Sequence, residues 1–324
     1  MSQEIPARGS IRSRVAATTS MVTLRQISAV LPPEQAWGLW TSRQIVAAVM
    51  DGFGPSLRDT TVDTVDTTLP DGRRLVGEWV TGPGICRPAD AAIYFVHGSG
   101  YALCSPRTHR RLVAWLSQLT GAPVFSVDYR LAPRHRFPAA ADDVRTGWDW
   151  LVQQGYGQRQ LAVAGDSAGV HLAVDLLLQH DVTHPAALVG FSPLFDLTLS
   201  LARDRERRRR DPAIRAADAQ RLLGLYCRGV HAEHPRLRLD VAGGRTLPPT
   251  LIQAGSGEML VDDARRLAAD ITTAGGDCEL QIWPDQVHVF QALPRLSPEA
   301  APAMRQAASF IRTALGLSTS DGQD

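Results

Sequence analysis

The stretch Leu161-Ala162-Val163-Ala164-Gly165-Asp166-Ser167-Ala168-Gly169 decides the reading of this chain. A short apolar run ends in Gly-x-Ser-x-Gly, and a helical apolar pattern over Ala168–Gln179 begins at once. A bare pentapeptide of this kind arises by chance in roughly one chain in ten at such a glycine content. Its context gives it meaning. A serine on a tight strand-to-helix turn points its hydroxyl away from the backbone, and small neighbours permit the crowded turn. The helix behind it aims the positive end of its dipole at the same point. Ser167 is therefore read as a nucleophile.

Outward from that turn, short β-rich runs alternate with helical patterns. The runs are Ala92–Val96, Val124–Tyr129, Leu161–Ala164, Ala187–Phe191, Thr250–Ala254 and Glu279–Trp283. Helical patterns cover Arg110–Leu119, Ala140–Gln153, Ala168–Gln179 and Asp262–Thr273. This alternation predicts a mostly parallel sheet with helices on both faces, an α/β protein. It fails between Pro193 and Pro248, a stretch rich in Arg and Leu that reads helical at Pro212–Tyr226 and is expected to be an insertion over one end of the sheet. Residues 22–53 also read as helical, in two pieces broken at Pro32 and Pro33.

The chemistry of a serine nucleophile requires partners. His97-Gly98-Ser99-Gly100 follows the run Ile93–Val96, where small residues let backbone N–H groups approach a developing oxyanion. The N–H groups of Ser99, Gly100 and Ala168 are expected to form that hole, each worth roughly 3–4 kcal/mol of barrier when preorganised. His97 precedes the serine and reads as a histidine that fastens the loop. A strand–turn–helix serine site has the chain order Ser, acid, His, and His288 is the only histidine after His234. It stands just beyond the last strand and is the expected base. The acid must lie between Ala254 and His288: Glu258, Asp262, Asp263, Asp277 and Asp285 qualify. Glu258, in a small-residue loop at a strand end, is favoured. Asp262 remains the alternative, although it serves equally well at a helix start.

Taken together, these segments resemble the bacterial hormone-sensitive-lipase family of esterases. The resemblance runs from about Ala92 to Phe290. It includes HGSG with Tyr101, Asp128-Tyr129-Arg130-Leu131-Ala132-Pro133, Phe137-Pro138-Ala139-Ala140 before Asp142-Asp143, GDSAG, Ser192-Pro193, Pro248-Pro249-Thr250, Glu258-Met259-Leu260-Val261-Asp262 and His288-Val289-Phe290. It implies an α/β-hydrolase fold with a helical cap, and hydrolysis of short- to medium-chain acyl esters through an acyl-enzyme. With residues 1–20 and the polar tail 318–324 read from their composition as disordered and flexible, the expected organisation is the N-terminal part of the cap (21–60), core (61–193), a cap insertion (194–247) and core (248–317). Two positions depart from the family pattern. Ser99 replaces the middle glycine of HGGG, which brings a side chain into a crowded loop, and Arg134 stands where Glu is common. A lactone, an acetylated natural product or an acyl-transfer reaction would use the same groups. A ligand-binding member of the fold with an altered triad is a different class, disfavoured by the presence of all three residues.

The remaining features set bounds. The chain has 324 residues, 44% of them hydrophobic, and a formal net charge of +1. That is enough for a sizeable core and no electrostatic reason to expect nucleic acid. No apolar stretch reaches membrane-spanning length, so no stable membrane insertion is expected. Cys86, Cys104, Cys227 and Cys278 are scattered, which points to a reduced, cytoplasmic setting without metal or disulfides. No cofactor is called for; the partner is a small ester or lactone. The oligomeric state is left open, a homodimer being one option. No secretory signal is visible, and Met21 opens the first good apolar pattern and is a candidate start. The run Arg203–Asp211 reads first as a solvated helix face, with a site for an anionic substrate or a partner as the sharper alternative. Trp37 and Trp40 either line the entrance or pack the cap. His171 and Cys104 are expected to be structural.

Overall fold

The computed structural model describes residues 5–87 and 89–317. Its strands are β1 (Thr61–Thr68), β2 (Arg74–Thr81), β3 (Ala92–Val96), β4 (Val124–Val127), β5 (Leu161–Asp166), β6 (Ala187–Phe191), β7 (Thr250–Gly255) and β8 (Cys278–Trp283). They form one sheet in the order β1-β2-β4-β3-β5-β6-β7-β8. β1 and β2 pair antiparallel, β2 pairs antiparallel with β4, and every later pairing is parallel.

The helices are α1 (Ile11–Val22), α2 (Leu24–Val30), α3 (Ala36–Phe53), α4 (Pro106–Thr120), α5 (Ala139–Gln153), α6 (Ala168–Leu178), α7 (Ser200–Arg208), α8 (Ala216–Cys227), α9 (Val261–Thr273) and α10 (Ala300–Ala314). The strand period of two sorts the core into layers. Ile93 and Phe95 of β3 pack with Leu112 of α4 and Ile311 of α10. Tyr94 and Val96 face the other way, toward Val144 of α5 and Leu172 of α6. With both faces covered, the central strands are apolar throughout, as their sequences read.

Strand order places the site. The chain steps from β3 to β4 on one side, then returns to lay β5 on the other side of β3. Ligands bind outside the carboxyl ends of the strands at such a reversal. Val96 is in register with Gly165, and Gly165 with Gly190, so β3, β5 and β6 end level. The loops bearing Ser99, Ser167 and Ser192 leave the sheet side by side.

Three expectations need correction or extension. Residues 1–20 were expected to lack order, yet α1 starts at Ile11. Tertiary contacts hold it: the Glu299 carboxylate accepts the Ser10 N–H and the Ser13 hydroxyl, and Asp285 accepts the Gly9 N–H. The helical piece expected from residue 22 is thus preceded by a helix that begins eleven residues earlier, and Met21 lies in the last turn of α1. Second, the charge run was expected first of all to be a solvated face. Its α7 is half inward: Arg205 donates to the Ser256 carbonyl at 2.7 Å, and Glu206 pairs with the buried Arg25 and accepts the Ala216 N–H. Third, α10 was not read at all. Its buried face, Ala300, Ala303, Met304, Ala307, Ala308 and Ile311, does follow the helical period. Residues 1–4 and the polar tail 318–324 lie outside the described residues. No described helix is long and apolar enough to cross a membrane.

Candidate active site

Ser167 sits at the junction of β5 and α6 with φ 51° and ψ −122°. This positive-φ conformation is costly for a residue with a Cβ and persists only where its surroundings over-determine it. Here the Ser167 N–H donates to the Phe191 carbonyl at 2.9 Å, while the Ser167 carbonyl accepts from Val170 and Leu194. Gly169 is obligatory: a Cβ there would meet the Val96 carbonyl oxygen at 2.0 Å. The turn therefore lifts the Ser167 hydroxyl above the sheet while its glycine lets α6 pass against β3.

His288 Nε2 lies 3.1 Å from Ser167 Oγ, and His288 Nδ1 lies 2.6 Å from Glu258 Oε2. Glu258 is completely buried, and its other oxygen accepts the Gly255 N–H at 2.8 Å. Burial opposes charge on the His288 ring, but the hydrogen bond and charge of Glu258 outweigh it and hold the imidazole above its ordinary range. The loop carrying His288 is pinned by the Val289 N–H donating to the Ser192 hydroxyl at 2.9 Å. Ser192 was legible only as part of a Ser-Pro motif.

The other acid candidates are engaged elsewhere. Asp262 pairs with Arg208 and Arg265. Asp263 accepts the N–H groups of Phe195 and Asp196, and burial pushes its carboxyl up to about 7. Asp285 meets Gly9 and Arg209. Asp277 contributes its carbonyl to Thr250 at the edge of β7.

The loop after β3 has three successive positive-φ residues, Ser99 (78°), Gly100 (59°) and Tyr101 (62°). Among the described residues, no protein acceptor takes the N–H groups of Ser99, Gly100 or Ala168. The Ser99 side chain accepts the Cys104 S–H at 2.8 Å, and burial pushes that thiol up to about 11. A buried network supports the loop from behind. Asp166 accepts the Gly98 N–H at 3.0 Å and touches His109 Nε2 at 3.3 Å. Burial would raise the Asp166 carboxyl, but the adjoining His109 outweighs it and the group is held low. The Tyr129 hydroxyl donates to the His97 carbonyl at 2.8 Å, and its ring stacks on His97 at 4.1 Å. Burial pushes His97 down to about 3. A neutral, stacked ring fits a loop fastener and not a base. His171 is likewise buried, with Nε2 on the Leu237 carbonyl.

Over these groups lies a cavity of about 350 Å³ with a mainly apolar lining. α1, α2, α3, α8 and the loops around Ser99, Ser167, Met259 and His288 all contribute to its wall. Its size is that of small-ligand pockets, roughly 300–1,000 Å³. Trp37 and Trp40 neither line it nor pack inward; both are exposed.

A protein-family model described as alpha/beta hydrolase fold matches residues 93–292. The chain belongs to the alpha/beta hydrolase family. Within it, this hydrolase is 34% identical to a carboxylesterase/phospholipase, LipF, of Mycobacterium tuberculosis, over 94% of this chain and 82% of the relative. It is 37% identical to an acetyl-hydrolase of Streptomyces hygroscopicus, over 74% and 80% of the two chains. Among solved structures it resembles the esterase EstE5 soaked with p-nitrophenyl butyrate (TM-score 0.82, 30% identity, 95% of this chain and 99% of that one). It also resembles an esterase of the bacterial hormone-sensitive lipase family (TM-score 0.82, 27% identity, 95% and 99%). This hydrolase is thus a bacterial esterase of the hormone-sensitive-lipase type, and hydrolysis of carboxylic esters is its class of reaction.

Proposed function

We propose that ester hydrolysis here runs through an acyl-enzyme on Ser167, with His288 as base, Glu258 as its acid partner and medium-chain acyl groups in the cavity. The observation that carries this reading is the continuous line from Ser167 Oγ through His288 to buried Glu258, opening into an apolar cavity. His288 Nδ1–H donates to Glu258, which fixes the tautomer and leaves Nε2 to accept the serine proton. Oγ attacks the ester carbonyl. The resulting oxyanion is held by the N–H groups of Ser99, Gly100 and Ala168. His288 then protonates the departing alcohol, and water releases the acid by the same steps in reverse.

The cavity argues for an acyl chain longer than acetyl, because its wall reaches as far as Ser13, Ala16 and Ser20 of α1. Short polar acyl groups would leave that apolar surface wet. The direct test is a panel of p-nitrophenyl esters from acetate to decanoate, together with fluorophosphonate labelling. Turnover peaking at intermediate length and labelling lost in Ser167→Ala are expected. Undiminished turnover by Ser167→Ala would remove Ser167 from the reaction.

A further inference from the structure

Three consecutive helices at the cavity turn large apolar side chains outward. Ile11, Val15 and Val22 of α1 are 78%, 58% and 68% exposed. Their spacing sets them, with Thr18, in one stripe along the helix. The opposite face is small: Ser13, Ala16 and Ser20 line the cavity. α1 therefore reverses the usual pattern of a surface helix, with small residues toward the protein and apolar ones toward solvent. α2 exposes Ile27 and Val30, and α3 exposes Trp37 and Trp40. Ile27 also lines the cavity, so the outer patch and the cavity wall meet there. Single exposed apolar residues need no explanation, but a succession of them beside a binding cavity marks an interaction surface.

Charge selects the partner. Between residues 5 and 33 the charged residues are Arg8, Arg12, Arg14 and Arg25, with no carboxylate. Arg25 is buried against Glu206. Arg8, Arg12 and Arg14 are exposed, and among the described residues none has an ion-pair partner. By helical geometry Arg12 and Arg14 lie on either side of the apolar stripe. Two copies meeting face to face would bring these cations together, which disfavours self-association through this surface.

We propose that the outer face of α1, continued by α2, rests on an anionic lipid surface, so that the cavity takes its ester from aggregated lipid. An apolar stripe flanked by arginines is the pattern of a helix lying in a membrane interface, and it needs no spanning segment. The consequence for substrate supply rests on the ester reading; the adsorption itself does not.

The test is co-sedimentation of the full chain with vesicles of phosphatidylglycerol and phosphatidylcholine, against phosphatidylcholine alone. Ser167→Ala is used so that binding is read without turnover. Preferential binding to the anionic vesicles, weakened by added salt, is expected. Ile11→Ser/Val15→Ser should weaken it by at least about tenfold. Arg12→Ser/Arg14→Ser should weaken it by about fivefold per arginine. In the active chain, neither pair should change hydrolysis of dissolved p-nitrophenyl butyrate. Equal binding to both vesicle types, variants that bind like the parent, or light scattering that shows a dimer dissolved by Ile11→Ser/Val15→Ser would each overturn the proposal.

Discussion

Glu258 and His288 meet at 2.6 Å, thirty residues apart in sequence, with the carboxylate wholly withdrawn from solvent. Buried charge of this kind is tolerated only when it is fully partnered. The Gly255 N–H and the imidazole supply both partners.

Replacing Glu258 therefore separates it from its neighbour. Glu258→Gln should lower kcat on the order of 10³–10⁴-fold, since the imidazole loses its fixed tautomer and its counter-charge. Asp262→Asn should stay within about twofold, because Asp262 faces Arg208 and Arg265. Steady-state kinetics on one p-nitrophenyl ester decides it; the reverse ranking would transfer the acid role to Asp262.

The pH profile follows from the raised pKa of His288. The base must be neutral to accept a proton, so kcat/KM should rise with pH and reach half its plateau above about 6.5, the ordinary imidazole value. In any residually active Glu258→Gln the inflection should move down. The same shift stabilises the fold below about pH 6.5, and that contribution is lost as pH rises through the folded pKa. A plateau already complete below pH 6 would contradict this assignment.

Asp211 ties the loop between α7 and α8 to the loop of Glu258. It is buried, and its carboxylate accepts the N–H groups of Ala213 and Ile214 on one oxygen and of Met259, next to Glu258, on the other. Asp211→Ala would leave those donors unpaired, at about 1–3 kcal/mol each when buried. Thermal unfolding should show a lower Tm, and kcat should fall while fluorophosphonate labelling of Ser167 persists. An unchanged Tm would mean that water replaces the carboxylate.

Chain-length preference should respond to α1. Ala16→Phe places a ring in the part of the cavity wall that α1 supplies. Turnover of the decanoate should drop about tenfold or more in kcat/KM, with acetate little changed. Equal loss on both esters would mean that the acyl chain lies elsewhere.

Much of the site was legible because its parts are local. The turn at Ser167, the small-residue loop at Ser99 and Gly100, and His288 after the last strand are each marked by a few adjacent residues. The choice between Glu258 and Asp262 was not local. Glu258 lies in the loop entering α9 and Asp262 in the first turn of that helix, so their side chains point in different directions, and the position of His288 against Glu258 separates them. Asp211 carried no signal beyond an Asp-Pro at the end of an arginine run. Its role exists only because the loop between α7 and α8 reaches Met259.

By itself the sequence determined the alternation of strands and helices, the glycine-flanked turn at Ser167 and the chain order of Ser167, Glu258 and His288, since each depends on neighbouring residues or on a short period. Only the tertiary structure decided which carboxylate meets the imidazole, and that the helical part starts at Ile11. The apolar stripe of α1 points away from the protein, and its order comes from Glu299, at the far end of the chain. A pattern that assumes apolar residues face inward could not have found it.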